Sequence, residues 1–265
     1  MILGNKFVTV TLMSLEAIQQ KLQKTAQGSF AVFDFDNTLI ISDTGEAVLM
    51  YLARNGLFKD TQLLPGEFAN AKSYGQAVFS HYHDLLDKNE IWQAYQFCTK
   101  VLSGFTPAQV GEITRQTLEF EGTQITEEEL FGRKIHRGIM PRQNATELLK
   151  MAANEGITNW VVTSSPQLAV KAAMDYFGIK ANIIGVCNIE SNGVLTQELK
   201  TPAPIREDKV TTIKAFIDPK ISPVLAVGDS MNDQWMLEYA RERAVVGNNE
   251  KLITLAKEKG WQVLR

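Results

Sequence analysis

The sequence predicts an α/β fold, a parallel sheet covered by helices on both faces and interrupted by one all-helical insert. Three observations predict it. Apolar runs of strand length at 30–35, 158–163, 182–189 and 223–229 do not follow the alternation of a strand with one wet face, so both faces are to be covered. Helical segments with start and stop signals lie between the last three runs, as in a chain of βαβ units. Between about 46 and 148 the helical signals continue and no strand signal interrupts them. The division expected is therefore a sheet-bearing core from 1–45 and 149–265, with the insert at 46–148.

Taken in order, Leu15, Ile18 and Leu22 recur at helical spacing, and Gly28-Ser29 precede the strand that opens at Phe30. Asp43 and Glu46 have capping-box spacing at the start of a helix that Gly56 stops. Within the insert, Thr106-Pro107 with Gln109 starts one helix, and Thr126 with Glu129 starts another. From Pro141 a helix runs to about Gly156, the strand TNWVVT spans 158–163, and Ser165-Pro166 caps a helix running to Gly178. The strand 182–189 leads to a hairpin turn at Asn192-Gly193. A helix from about Glu207 to Phe216, the strand 223–229, a helix after Asn232, and short strands near Val245 and Val263 complete the reading.

A chain of 265 residues with 45% hydrophobic content holds one large domain or two small ones and a full core. Its net charge of -3 supplies no basic face for nucleic acid, so any phosphate site must be local. No stretch approaches the roughly 20 apolar residues that span a bilayer. Lys6 followed by the apolar run Phe7 to Leu15 has the outline of a short signal peptide, but no small-residue cleavage site follows. A retained segment and a cytoplasmic protein are expected, with a periplasmic one the alternative and Met13 a second candidate start. Cys98 and Cys187 are too few for a disulfide framework and read as structural.

Strand ends carry the polar signal. FDFDNTL places Asp34 and Asp36 behind a buried run, where two carboxylates would share a face and repel unless the chain leaves the strand or a cation lies beside them. Thr163-Ser164-Ser165 ends the second strand, GDSMND (228–233) follows the third, and Lys209 opens the helix before it. Singly these are turn and cap residues. Jointly they project toward the carboxyl edge of one sheet, where open α/β folds bind ligands.

This set resembles the four motifs of the haloacid dehalogenase superfamily of phosphohydrolases: DxDxT, a Thr/Ser strand end, a lysine, and GDxxxD. The resemblance implies a Rossmann-like, haloacid dehalogenase-like core, and the insert sits where the subgroup similar to phosphoserine and phosphocholine phosphatases carries its cap. It implies Mg²⁺ held by Asp34, the backbone carbonyl of Asp36 and Asp229, with Asn232 and Asp233 as further ligands or orienters. By the same resemblance Asp34 is the nucleophile, Asp36 the acid and base, and Thr163, the Ser164 amide and Lys209 bind the phosphoryl group. A carboxylate attacking a phosphate dianion needs such cations. Dehalogenases of the superfamily lack an acid at the position of Asp36, and P-type ATPases carry threonine there. A Mg²⁺-dependent phosphomonoesterase acting on a small phosphorylated metabolite is expected. A phosphotransferase or mutase, or a silent binding protein of the same fold, is the alternative.

The substrate is less legible. Asp43 stands where phosphoserine phosphatases of that subgroup place a glutamate for the substrate ammonium, and it also reads as a plain helix cap. Aromatics of the insert, Tyr51, Phe79, Tyr82, Trp92 and Tyr95 among them, read as its own core or as a cage for a quaternary ammonium. His81 and His83 are two positions apart and do not face one way on a helix, which speaks against a metal pair.

Overall fold

The computed structural model describes residues 15–24 and 28–264, and the N-terminal segment with Lys6 and Met13 lies outside them. The chain enters through helix α1 (15–22), strand β1 (Phe30–Phe33) and the two-residue strand β2 (Ile40–Ile41). Helices α2 (Thr44–Asn55), α3 (Ala71–Asp87), α4 (Ile91–Lys100) and α5 (Pro107–Glu121) follow, then strands β3 (Thr126–Leu130), β4 (Arg133–Arg137) and β5 (Met140–Pro141). Next come α6 (Gln143–Asn154), β6 (Thr158–Pro166), α7 (Gln167–Phe177), β7 (Asn182–Val186), β8 (Asn188–Ser191) and β9 (Val194–Leu199). The chain closes with α8 (Asp208–Phe216), β10 (Leu225–Gly228), a 3-10 turn (Met231–Asp233), α9 (Gln234–Tyr239), β11 (Glu242–Val245), α10 (Glu250–Glu258) and β12 (Gln262–Val263).

The central sheet is parallel, in the order β12-β11-β10-β1-β6-β7. From β1 the chain builds outward through β6 and β7, then returns to the other side of β1 as β10, so the strand order reverses beside β1. Alternation along β1 explains its continuous apolar run. Ala31 and Phe33 face a cluster with Leu15 and Ile18 of α1, Leu148 of α6 and Val170 of α7. Phe30 and Val32 face Ile213 of α8, Leu237 of α9 and Leu252 of α10. Each large side chain so buried contributes about 1.5–3 kcal/mol. A third cluster joins α2 to α5 through Leu52, Tyr82, Phe97 and Val110, and takes in Leu130 and Ile135 of β3 and β4. No helix among the described residues is long and apolar enough to cross a membrane.

Several sequence expectations are corrected. The helix expected from Thr126 and Glu129 is the hairpin β3–β4, so the insert is not all-helical. Phe131 and Gly132, at φ 50° and 80°, form a tight turn of the hairpin-favouring hand. Glu129 pairs across from Lys134, and Glu127 from His136, and such cross-strand pairs outweigh a capping pattern. The run 182–189 breaks at Cys187 into β7 and β8, and β8 leaves the sheet to pair antiparallel with β9 around the Asn192-Gly193 turn. Ser165-Pro166 ends β6 rather than capping α7 with a side chain, for Pro166 at the N-cap makes no side-chain bond. Pro141 belongs to β5, whose residues pair with β2 as Ile40 with Pro141 and Ile41 with Met140. Other signals stand. Asp43 caps α2, and Gly56 ends it at φ 63°. Thr106 and Gln109 form the expected capping box on α5. Cys98 and Cys187 are free thiols.

Candidate active site

The chain leaves the sheet directly after β1. Asp34 still bonds sideways, its amide donating to Val227 O at 2.9 Å, while the amides of Thr38 and Leu39 turn back to Phe35 O at 3.1 and 2.8 Å. Asn37 takes the left-handed conformation, at φ 56°, that this turn requires. Asp34 and Asp36 therefore do not sit as neighbours on one strand face, which removes part of the repulsion that the sequence posed.

Lys209 removes more of it. This ammonium is 1% exposed and donates to Asp34 Oδ1 and to Asp233 Oδ1, both at 2.6 Å. Burial would strip its proton, but the two carboxylates hold it ionised and push its pKa above the ordinary lysine range. Thr38 links the other side. Its hydroxyl lies 3.2 Å from Asp34 Oδ2 and 3.0 Å from Asp229 Oδ1, and its single hydrogen serves one of them at a time.

Asp34, Asp36, Asp43, Asp229 and Asp233 line a recess of about 120 Å³ with Lys209, Thr163, Ser164, Asn232 and Tyr95. Five carboxylates thus face one lysine. Burial, offset by Lys209 and reinforced by Asp233 and Asp36, raises the Asp34 pKa to about 7. Asp229 is pushed well above the usual carboxylate range by burial and then by Asp233 and Asp34. Asp36 rises to about 7 through burial and the Asp43 charge. Its Oδ1 accepts from the Thr44 amide at 2.6 Å, whereas its buried Oδ2 has no hydrogen-bond partner.

A divalent cation fits this donor set. Asp34, Asp229 and Asp233 each offer an oxygen within 4.8 Å of the others, all hard ligands of the kind Mg²⁺ takes. Asp233 is already spent: its Oδ1 accepts from Lys209, and its Oδ2 from the amides of Asp229 at 3.1 Å and Ser230 at 3.2 Å. Asp34 and Asp229 remain the carboxylates with room for an ion, and Asp233 braces the loop after β10 that carries Asp229. A Cβ on Gly228 would fall 2.5 Å from that of Asp233, so the glycine before Asp229 is required for this approach. The Asp36 side chain stands outside the three-carboxylate group.

The residues expected on the phosphate side, Thr163, Ser164 and Lys209, line the same recess. Thr163 accepts from the Ser165 amide at 3.1 Å, leaving its hydroxyl hydrogen free, while the Ser164 hydroxyl donates to Pro204 O at 3.0 Å. Asn232 donates to the Tyr95 hydroxyl at 3.2 Å.

Beside the recess lies a larger cavity of about 760 Å³. Asp43, Glu46, His83, Glu121, Arg133 and Arg142 are among its walls. Asp43 Oδ1 accepts from the Glu46 amide at 2.8 Å, so the capping reading holds and the carboxylate also faces the cavity. Burial and the Glu46 charge raise Asp43 to about 7. Glu46 rises to about 7 through burial, against the pull of Arg133. Its carboxylate lies 3.6 Å from His83 Nε2, a ring that burial and Arg133 depress to about 4 and keep neutral. His81 instead packs edge-on against Phe97, so the two histidines do diverge.

The sequence assigns no specific place in the recess or cavity to three contributors. Thr38 lies within FDFDNTL with no role of its own, and its spacing to Asp34 is the signal that marks it. Tyr95 stands in the sequence only as one of the insert's aromatics and His83 only as half of a rejected metal pair, with nothing linear to place either beside the strand ends.

Comparison with known proteins agrees with this geometry. A family model described as haloacid dehalogenase-like hydrolase matches residues 31–238. The chain is 26% identical over 250 residues to a phosphorylcholine phosphatase of Pseudomonas aeruginosa, covering 80% of this chain and 71% of that one. It is 26% identical over 244 residues to a histidinol-phosphatase of Neisseria meningitidis serogroup C, covering 89% and 98%. A substrate-bound phosphoserine phosphatase structure superposes with a TM-score of 0.54 at 16% identity, over 91% of this chain and 94% of the other.

Proposed function

This chain belongs to the haloacid dehalogenase-like hydrolases, and from that premise we propose that it is a Mg²⁺-dependent phosphomonoesterase acting on a small phosphorylated metabolite. The observation that carries the reading is the buried Lys209 ammonium at 2.6 Å from both Asp34 and Asp233, next to Asp229 and facing a small recess. A bound Mg²⁺ supplies positive charge against which a phosphate dianion and a carboxylate can approach. Asp34 and Asp229 would hold it, with the Asp36 carbonyl as the further protein ligand.

The chain's own residues then act in two displacements. An Asp34 oxygen forms a bond to phosphorus while the bond from phosphorus to the leaving oxygen breaks, and the Asp36 carboxyl gives that oxygen its proton. A carboxyl titrating near 7 is protonated often enough at neutral pH for this task. In the second displacement water attacks phosphorus, Asp36 takes the water proton, and inorganic phosphate leaves as Asp34 is restored. Lys209, Thr163 and the Ser164 amide bind the phosphoryl oxygens, and Asp233 with Asn232 orients the loop after β10.

In this reading 1–45 and 149–265 form the catalytic core and 46–148 the cap that shapes the leaving-group side. The 760 Å³ cavity suits a leaving alcohol that bears a positive charge. Neither Asp43 nor Glu46 has a lysine or arginine within ion-pair distance among the described residues, and phosphorylcholine and histidinol phosphate, for which the two relatives are named, both carry a cationic group.

Turnover of p-nitrophenyl phosphate with and without Mg²⁺ tests the reaction. Mg²⁺-dependent release of phosphate that Asp34→Asn abolishes is the expected result. Absence of turnover across a panel including phosphoserine, phosphocholine and phosphoethanolamine overturns it.

A further inference from the structure

We propose that Tyr95, carried by α4 of the insert, donates its hydroxyl hydrogen to a phosphoryl oxygen of the bound substrate while Asn232 holds that hydroxyl in place. The assignment rests on the phosphomonoesterase reading above and adds a binding group that comes from outside the strand ends.

The recess has a shortage of free donors. Five carboxylates surround it, and an incoming dianion must find hydrogen bonds among them. Two of the Lys209 N–H bonds already go to Asp34 and Asp233. The hydroxyl of Ser164 is spent on Pro204 O, and that of Ser230 is directed to Asp233 Oδ2 at 3.4 Å. Tyr95 is arranged in the opposite sense. Its oxygen accepts from Asn232 Nδ2 at 3.2 Å, which leaves its one hydrogen without a protein acceptor and the oxygen fixed on the wall of the recess.

The ring is anchored independently of the hydroxyl. Tyr95 and Trp92 pack against Val186, Ala203 and Ile205, so the phenol is held before substrate arrives and loses little freedom on binding. Burial, then the charges of Asp43 and Asp34, pushes its pKa well above the ordinary tyrosine value, so the group stays a donor. An anion whose oxygen meets this hydrogen also meets Lys209 and Thr163 from the core. Tyr95 thereby makes docking of the insert on the strand ends part of phosphate affinity.

Tyr95→Phe removes the hydroxyl and keeps the ring packing, so the variant should fold. A hydrogen bond to a charged group corresponds to a factor of about ten to a hundred. KM for p-nitrophenyl phosphate and the inhibition constant of inorganic phosphate should therefore rise together by about tenfold or more, with the half-saturating Mg²⁺ concentration unchanged within about twofold. Both constants staying within about twofold of the wild type would overturn the assignment while leaving phosphatase activity intact. So would a rise in KM without a matching rise for inorganic phosphate, since the contact would then lie with the leaving group. If the wild type shows no turnover that Asp34→Asn removes, the phosphomonoesterase reading falls, and this one with it.

Discussion

Replacing Asp36 by asparagine separates proton chemistry from folding. The Asp36 residue is 7% exposed, and burial followed by the Asp43 charge lifts its pKa from 3.8 to about 7. In the unfolded chain the group titrates near the lower value, so between the two the folded protein binds a proton that the unfolded chain lacks. The stability this proton contributes is fully present below 3.8 and is lost as pH rises through about 7. Each pH unit within the window is worth about 1.4 kcal/mol, so this one group should cost the metal-free wild type about 3 kcal/mol between about pH 5 and about pH 8. Asp36→Asn does not titrate, and it retains an acceptor for the Thr44 amide now bonded at 2.6 Å. Its stability relative to the wild type should therefore rise by about that amount over the same interval, read by urea unfolding in EDTA. Activity should move the other way, with kcat falling by about 10²–10⁴ for want of a proton donor. Stability curves that run parallel at both pH values, or a kcat within about tenfold of the wild type, would refute the assignment.

Lys209→Met should lower kcat/KM by about 10³ or more, and should cost the metal-free protein about 3–5 kcal/mol near pH 8 by leaving Asp34 and Asp233 buried without their cation. Steady-state kinetics and chemical denaturation read the two effects. Asp229→Ala should weaken Mg²⁺ binding by about tenfold or more, whereas Asp36→Asn should change it by no more than about threefold, since the ligand expected at that residue is a backbone oxygen. Calorimetric titration with Mg²⁺ decides this, and equal losses in the two variants would overturn the backbone-oxygen assignment at Asp36. Glu46→Gln should raise KM for phosphocholine by about tenfold while leaving p-nitrophenyl phosphate nearly unaffected, because a neutral leaving group does not call on that charge.

The sheet was legible because its strands are buried on both faces. Phe30 to Phe33 and Leu225 to Gly228 could tolerate no polar residue, so the run of apolar letters announced them directly. The site was legible where chemistry fixes both residue type and distance to a strand end, as with Asp34, Asp229 and Lys209. Thr126 to Arg137 misled because a hairpin on the surface is held by pairs such as Glu129 with Lys134, which no single window displays. The inclusion of Cys187 in one strand failed for a related reason, since pairing with β9 rather than hydrophobicity decided where β7 stops. Tyr95 illustrates the limit most plainly. Its bond to Asn232 spans 137 positions, and only the docking of α4 on the loop after β10 brings the two together.

The ribbon formed by β2 and β5 brings the two crossings of the insert side by side, with Ile41 opposite Met140. Opposed residues in such a ribbon have Cα atoms only about 5 Å apart. What hangs between them can lengthen, shorten or be exchanged in descent without dragging Asp34 or Asp229 from its place. Diversification of this kind would change which molecules are admitted, while Asp34, Asp229 and Lys209, all outside that stretch, keep their own positions.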